Sequence, residues 1–329
     1  MKNGLKLMRM VSTSVMIFLA MFMSACGDGS DSDGGGGGGG ITYTGITAQA
    51  TIDDTNVVDL SIGAYQGGET GMAMGTLGAV QTTDHNQIGR SRVLKLVQSS
   101  EGAILQVDVN ASSGVVVSGA SVTESDTIPG DCGGNASYTI EVDDVTGDFS
   151  GTMNFNDYCS EGVTLSGSTS FSGTFDVDTE EFLQFSLTLN TVTITSGSDS
   201  FTTSGSISFN FQASPLNATM DIRIRDNSTE KVYWANDYSI TLVEGSGYVE
   251  LEMSGRYYDP DYGYVDFHTD TPFHIDDGDE WPSAGVLIVE GEGGTEAQLT
   301  ALSSTTYIVD VDTDGDGIYD WDSGVLNWS

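Results

Sequence analysis

Between Asp310 and Asp322, six carboxylates fall within thirteen residues, and the nearest preceding basic side chain is Arg256. Left alone, such a segment repels itself; a hard divalent cation held by oxygen ligands removes the repulsion. The plainer reading is a solvated acidic turn. Calcium in a structural role is the better fit to six clustered carboxylates with no cation of their own. Two other segments carry weaker signals. Asp266-Phe-His268-Thr-Asp270, with His274, Asp276, Asp277, Asp279 and Glu280, sets two imidazoles among carboxylates. At strand spacing 268 and 274 share a face, and that donor set suits a transition metal. No third ligand follows at a recognisable spacing, so a polar strand face leading into a turn is the preferred reading. Tyr257-Tyr258-Asp-Pro-Asp-Tyr262-Gly-Tyr264 places aromatic rings beside carboxylates, as sugar binding requires. A hairpin turn whose tyrosines cap a sheet accounts for it more simply. His85, in Thr-Thr-Asp-His-Asn, has a loop composition and no assigned role.

The spacing Asp312-x-Asp314-x-Asp316-Gly317-x-x-Asp320 resembles the Asp-rich loops of EF-hand, dockerin and thrombospondin type 3 calcium motifs. The resemblance implies Asp312, Asp314, Asp316 and Asp320 as ligands, the Ile318 carbonyl at the backbone position and Gly317 at the sharp turn. Asp322 or Asp310 would complete the shell. Ser323 stands where an EF-hand places a bidentate Glu, and no exiting helix follows, so the likeness is nearer to the shorter thrombospondin-type loop.

The chain opens with Lys2, Lys6 and Arg9, then an apolar run from Val11 to Met23 broken only by small hydroxyl residues, then Ser24-Ala25-Cys26. This is the layout of a secretory signal over residues 1–25, with an apolar run too short for a durable membrane span. Met23-Ser24-Ala25-Cys26 resembles the lipobox of bacterial lipoproteins. That resemblance implies cleavage before Cys26, a diacylglyceryl group on its thiol and acylation of the new amino group. Two or three acyl chains suffice for stable anchoring in a membrane. Gly27 rather than Asp after the cysteine resembles lipoproteins directed to the outer membrane. Residues 26–40 end in seven consecutive glycines, cannot build a core and read as a flexible tether. Its random-coil reach is about 20 Å.

About 290 residues remain, enough for one large β domain or two small ones. Ten basic against 48 acidic residues give a formal charge of −38. So acidic a surface excludes nucleic acid and anionic headgroups as partners, and favours solubility and cation capture. Cys132 and Cys159 lie four residues outside the two arms of an expected hairpin, Ala136–Val142 and Phe149–Phe155, turning near Asp144–Asp148. In an exported chain a disulfide between them is the expected state, and no Cys-x-x-Cys suggests a redox role.

These features sit on a mainly β chain. Residues 41–125 form a mixed segment: a strand over 41–52, a short helix over 53–66 opened by Asp53-Asp-Thr-Asn56, and a second helix or a strand over Arg90–Ser99. Gly71–Val80 has no assignment. Arg90, Arg92 and Lys95 read as local charge balance rather than a binding patch. Over residues 126–280 the apolar period is two, with Leu165, Thr169, Phe171 and Phe175 on one face and Ser166 to Thr174 on the other. The parity flips between Leu189 and Val192, predicting a bulge near Asn190. Short acidic or Gly/Ser junctions separate the strands. The pattern predicts an antiparallel meander forming a soluble barrel or sandwich, with one or two short helices near the N-terminus. A membrane barrel is disfavoured by the absence of paired aromatic girdles. Residues 281–329 add two strands, Val286–Glu290 and Ala297–Leu302, before the acidic loop.

No Gly-x-Ser-x-Gly, His-Glu-x-x-His or Walker loop occurs. The function expected is therefore a non-enzymatic, calcium-stabilised β domain. It would be anchored by lipid in the bacterial envelope at the outer membrane, with a structural role or an unidentified protein or carbohydrate partner. Two rival readings are an envelope carrier holding an apolar ligand in its barrel, and a polysaccharide hydrolase with two converging carboxylates.

Overall fold

A computed structural model describes residues 40–73, 121–160, 162–177, 182–213 and 215–328. Cys26 and the segments read as signal, tether and second helix lie outside the described residues, as do His85, Arg90, Arg92 and Lys95. No helix among the described residues is long and apolar enough to cross a membrane.

Among the described residues one helix, α1 (Val57–Ala73), precedes the sheet. Its start follows the capping chemistry of Asp53–Asn56. The Thr55 amide and hydroxyl both donate to Asp53 Oδ1 at 2.8 and 2.6 Å, and the Asn56 side chain accepts from the Asp53 amide at 3.0 Å. The two Thr55 donors hold the Asp53 carboxyl below the usual range. Val57, Leu60 and Ala64 are fully buried, at the helical spacing the sequence predicts. The helix packs across β8 to β13.

The strands run in chain order, each antiparallel to the next: β1 (Ser121–Pro129), β2 (Gly133–Asp143), β3 (Asp148–Ser160), β4 (Val163–Phe175), β5 (Phe182–Ser196), β6 (Asp199–Asn210) and β7 (Leu216–Asp226). The order continues through β8 (Val232–Glu244), β9 (Tyr248–Asp259), β10 (Gly263–Asp276), β11 (Ala284–Glu290), β12 (Glu296–Ser303), β13 (Thr306–Asp312) and β14 (Trp321–Asp322). The last strand, β15 (Leu326–Asn327), returns to pair with β13 beside β14. The expected meander is present, and it is one sheet that is not closed into a barrel. Among the described residues β1 pairs only with β2, and the outer edge of β13 is occupied by β14 and β15. Alternation specifies which side chains face inward; it carries no information on whether the first and last strands meet.

The strands alternate as predicted. On β4 and β5 Leu165, Phe171, Phe185, Leu187 and Leu189 are buried, with Phe185 packed on Phe149 and Phe171 at centroid distances of 5.1 and 6.0 Å. The predicted bulge lies between Leu189 and Val192, where Thr191 adopts φ 100°. It returns Val192 and Ile194 to the buried face. Across it, Gly167 approaches so closely that a Cβ would lie 2.2 Å from the Thr191 carbonyl oxygen, and its φ of 128° already favours glycine. Further register shifts in β3, β8 and β10 bend the long strands.

Residues 41–52 do not form the expected strand. They make a strap whose only bridge among the described residues is Gln49 with Tyr264, parallel to β10. The strap starts at β6, where the Ile41 amide donates to Ser204 Oγ at 2.9 Å. It passes the β9–β10 turn, where Tyr43 Oη donates to the Asp259 carbonyl at 2.9 Å. At its far end the Glu292 amide donates to the Ala50 carbonyl at 2.7 Å and the Ile52 amide to Thr295 Oγ1 at 3.0 Å. Its alternation comes from packing over strand ends, with Ala50 and Ile52 buried, rather than from membership of the sheet.

Candidate functional site

The acidic segment forms the connection from β13 to β14. Carboxylate oxygens of Asp312, Asp314 and Asp320 all lie within 4.8 Å of one another. Asp312, the last residue of β13, is buried, whereas Asp314 and Asp320 are exposed. The loop wraps round Asp312: the Gly315 amide donates to its Oδ1 at 2.8 Å and the Gly317 amide to its Oδ2 at 2.7 Å. Burial pushes the Asp312 carboxyl up, but these donors outweigh it and hold the group below the usual aspartate range. It therefore stays anionic without a basic partner. Asp320 is fixed by its amide, which donates to the Val311 carbonyl at 2.9 Å, and by the Thr313 hydroxyl, 3.0 Å from Oδ2. Both glycines of the loop take positive φ, 77° at Gly315 and 85° at Gly317. A Cβ at Gly315 would come within 2.7 Å of the Gly293 carbonyl, so the loop seats against the β11–β12 turn.

The remaining candidates of this segment are placed otherwise. Asp316 lies outside the triad; its Oδ1 accepts from the Ile318 amide at 2.9 Å, as Asp314 Oδ1 accepts from the Asp316 amide at 3.3 Å. The Ile318 side chain is exposed. Asp322 is the cross-strand partner of Asp310, and its Oδ1 caps Gly324 at 2.9 Å. Burial and the facing Asp322 raise the Asp310 carboxyl. Tyr319 leans over the neighbouring strand, its hydroxyl donating to Glu296 at 2.8 Å.

His268 and His274 both point away from the buried face, as their spacing predicts, but each has its own carboxylate. His268 Nδ1 lies 3.6 Å from Glu290, and His274 Nε2 lies 3.3 Å from Asp276. Two register shifts lie between them, and their partners on β11, Ile288 and Ala284, are four residues apart, roughly 13 Å at about 3.3 Å per residue. Among the described residues the aspartate triad is the only carboxylate, imidazole or thiolate group tight enough for one ion. The tyrosines divide by parity: Tyr257 turns inward under α1, where a Cβ on Gly63 would meet its ring at 2.4 Å, and Tyr258 turns outward. On the outer face Tyr258 joins a ladder that the sequence does not reveal. Arg223, Trp234, Tyr258 and Tyr264 are successive cross-strand partners on β7 to β10. Arg223 sits 4.2 Å over Trp234, Trp234 stacks on Tyr258 at 4.6 Å, and Arg256 lies 3.9 Å over Tyr264 while holding Asp266 through two hydrogen bonds. Tyr43 of the strap closes over Trp234 and Tyr258. With its ring faces covered by one another, the ladder glues the strap to the sheet.

Cys132 and Cys159 form a disulfide with Cα atoms 5.1 Å apart, at the open end of the β2–β3 hairpin. Compared with known proteins, the chain matches no family model, no curated protein and no solved structure.

Proposed function

We propose that the chain is a non-enzymatic lipoprotein of the bacterial envelope, anchored through acylated Cys26, whose sheet is secured at its C-terminal edge by calcium. The observation that carries the calcium reading is the convergence of Asp312, Asp314 and Asp320 within 4.8 Å. They surround a strand end whose loop amides already hold one carboxylate in its charged form. Three carboxylates and the adjoining loop oxygens suit a hard cation with oxygen ligands. An ion there would tie β13 and β14 together and press the loop onto the Glu292–Gly294 turn. Extracellular calcium modules bind in the range of about 10⁻⁴–10⁻³ M, and an exposed site of this kind belongs with them. Titration calorimetry at pH 7 is expected to show saturable heat at millimolar calcium, lost in Asp312→Asn and in Asp320→Asn. Absence of heat up to about 10 mM, beyond the weak end of such modules, rejects the site.

The anchor reading is supported by the lipobox-like Met23-Ser24-Ala25-Cys26 and by the seven glycines that separate it from the strap. Expressed in a diderm bacterium, the chain is expected in the membrane fraction, with Cys26→Ser shifting most of it to the soluble fraction. Equal partition of the two forms would sink the anchor.

A further inference from the structure

The outward face of β3 to β6 is chemically uniform within a chain that is otherwise strongly acidic. From Ser150 to Asn156 on β3, Thr164 to Thr174 on β4, Gln184 to Thr195 on β5 and Ser200 to Asn210 on β6, the side chains alternating away from the core are Ser, Thr, Asn or Gln. Within these spans no charged residue stands among them, although the chain carries 48 Asp and Glu; at the two ends of the β3 run Asp148 and Asp157 accept the Thr174 and Ser166 hydroxyls, each at 2.7 Å. Acids occur around this face instead, at strand ends such as Asp143, Asp148 and Asp226, and within other strands, as at Asp221, Glu250 and Asp266.

Register aligns these groups into rows across the strands. Ser125, Thr139, Thr152, Ser170, Thr188 and Ser206 are partners in succession from β1 to β6. Thr123, Glu141, Ser150, Ser172, Ser186 and Ser208 form the adjacent row. Over β1 to β5 these rows line a shallow groove of about 420 Å³. Its single carboxylate, Glu141, lies toward the β1–β2 margin and accepts the Ser121 hydroxyl at 2.6 Å. Adjacent strands lie about 4.8 Å apart, so each row offers one polar group per step, a step comparable with the length of one sugar ring in an extended glycan.

We propose that this groove is a docking surface for a neutral polysaccharide whose chain runs across the strands, successive rings meeting successive hydroxyls. Charge selects that occupant. An anionic polymer is repelled by the net charge of the chain, and a cationic one is drawn to the denser acidic turns rather than to a groove with one carboxylate at its margin. An apolar partner leaves rows of donors and acceptors unpaired. A neutral chain of hydroxyls pairs with them at every step. Because no ring projects outward from β3 to β6 to stack on a sugar, each contact is weak and retention depends on many of them, so polymers bind and monosaccharides do not. The surface shares no residue with the aspartate triad, and its occupancy is independent of calcium.

Native electrophoresis of the full chain through gels containing hydroxyethyl cellulose, galactomannan or dextran tests this, with alginate as the anionic control. Retardation by at least one neutral polymer and not by alginate is expected. Ser170→Glu combined with Thr188→Glu, both outward-facing, should raise the dissociation constant at least tenfold. If the glutamates unfold the sheet, Ser170→Ala with Thr188→Ala supplies the same readout. No retardation by any neutral polymer, equal retardation by alginate, or undiminished binding in the folded variant overturns the proposal. So does loss of binding in Trp234→Ala alone, which would move the ligand to the aromatic ladder.

Discussion

Replacing Cys132 and Cys159 together with serine is expected to lower folding stability by about 3–4 kcal/mol, read as a fall in the urea midpoint against the oxidised chain. The bridge spans 27 residues, and closing a loop of that length removes a corresponding amount of chain entropy from the unfolded state. Little of the stabilisation has to come from contacts in the folded form. Around the bridge the backbone is already paired: the Cys132 amide donates to the Cys159 carbonyl, and Gly133 stands opposite Cys159 in register. The effect should be local in origin and global in outcome, because β2 and β3 lie in the same continuous core as the strands that follow. A double variant as stable as the parent would show that the hairpin end is held equally well without the bond.

The second large effect lies at the other end of the chain. Trp328→Ala is expected to cost about 3–5 kcal/mol, the range for deleting a large buried aromatic side chain. Trp328 is only 8 % exposed although it is the penultimate residue. Its ring is parallel to Trp281 at 5.3 Å, lies 4.4 Å from Tyr307 and 5.3 Å from Tyr65, and its indole N–H donates to the Ser303 carbonyl at 3.0 Å. Tyr65 in turn packs edge-on against Phe273 at 4.8 Å. One side chain thus joins α1, β13, the segment before β11 and the chain end. Trp328→Phe should recover most of the loss while leaving the Ser303 carbonyl without its donor. A Trp328→Ala chain whose midpoint matches the parent would mean that the cluster closes without its fourth ring.

What could be read from the sequence follows from what each signal encodes. The bulge at Asn190–Thr191 was visible because apolar parity changes between Leu189 and Val192, and only an extra residue reconciles that with one buried face. The α1 start was visible in Asp53–Asn56, whose side chains have local donors to satisfy. The Cys132–Cys159 pairing followed from the symmetry of two cysteines about one hairpin. Openness of the sheet was not legible, since alternation is blind to edges. The Arg223–Trp234–Tyr258–Tyr264 ladder was hidden because its members are neighbours only through register, set in part by the bulge in β8. In the acidic segment, spacing put Asp312, Asp314, Asp316 and Asp320 on equal terms. The structure separates Asp316 from the other three, a matter of where the loop aims each carboxylate that spacing does not determine.

The order of the strands also fixes an order of events. Every strand from β2 to β13 pairs with its immediate neighbours in the chain, so the sheet can grow one hairpin at a time with short loops to close. The helix is different: it precedes every strand of the described residues, yet it packs on β8 to β13, and Tyr65 meets Trp328 across 263 positions of sequence. A chain synthesised N-terminus first can therefore lay down the sheet progressively, while α1 waits for its docking surface. The meander is built from pairings between chain neighbours; seating the helix needs contacts far apart in sequence.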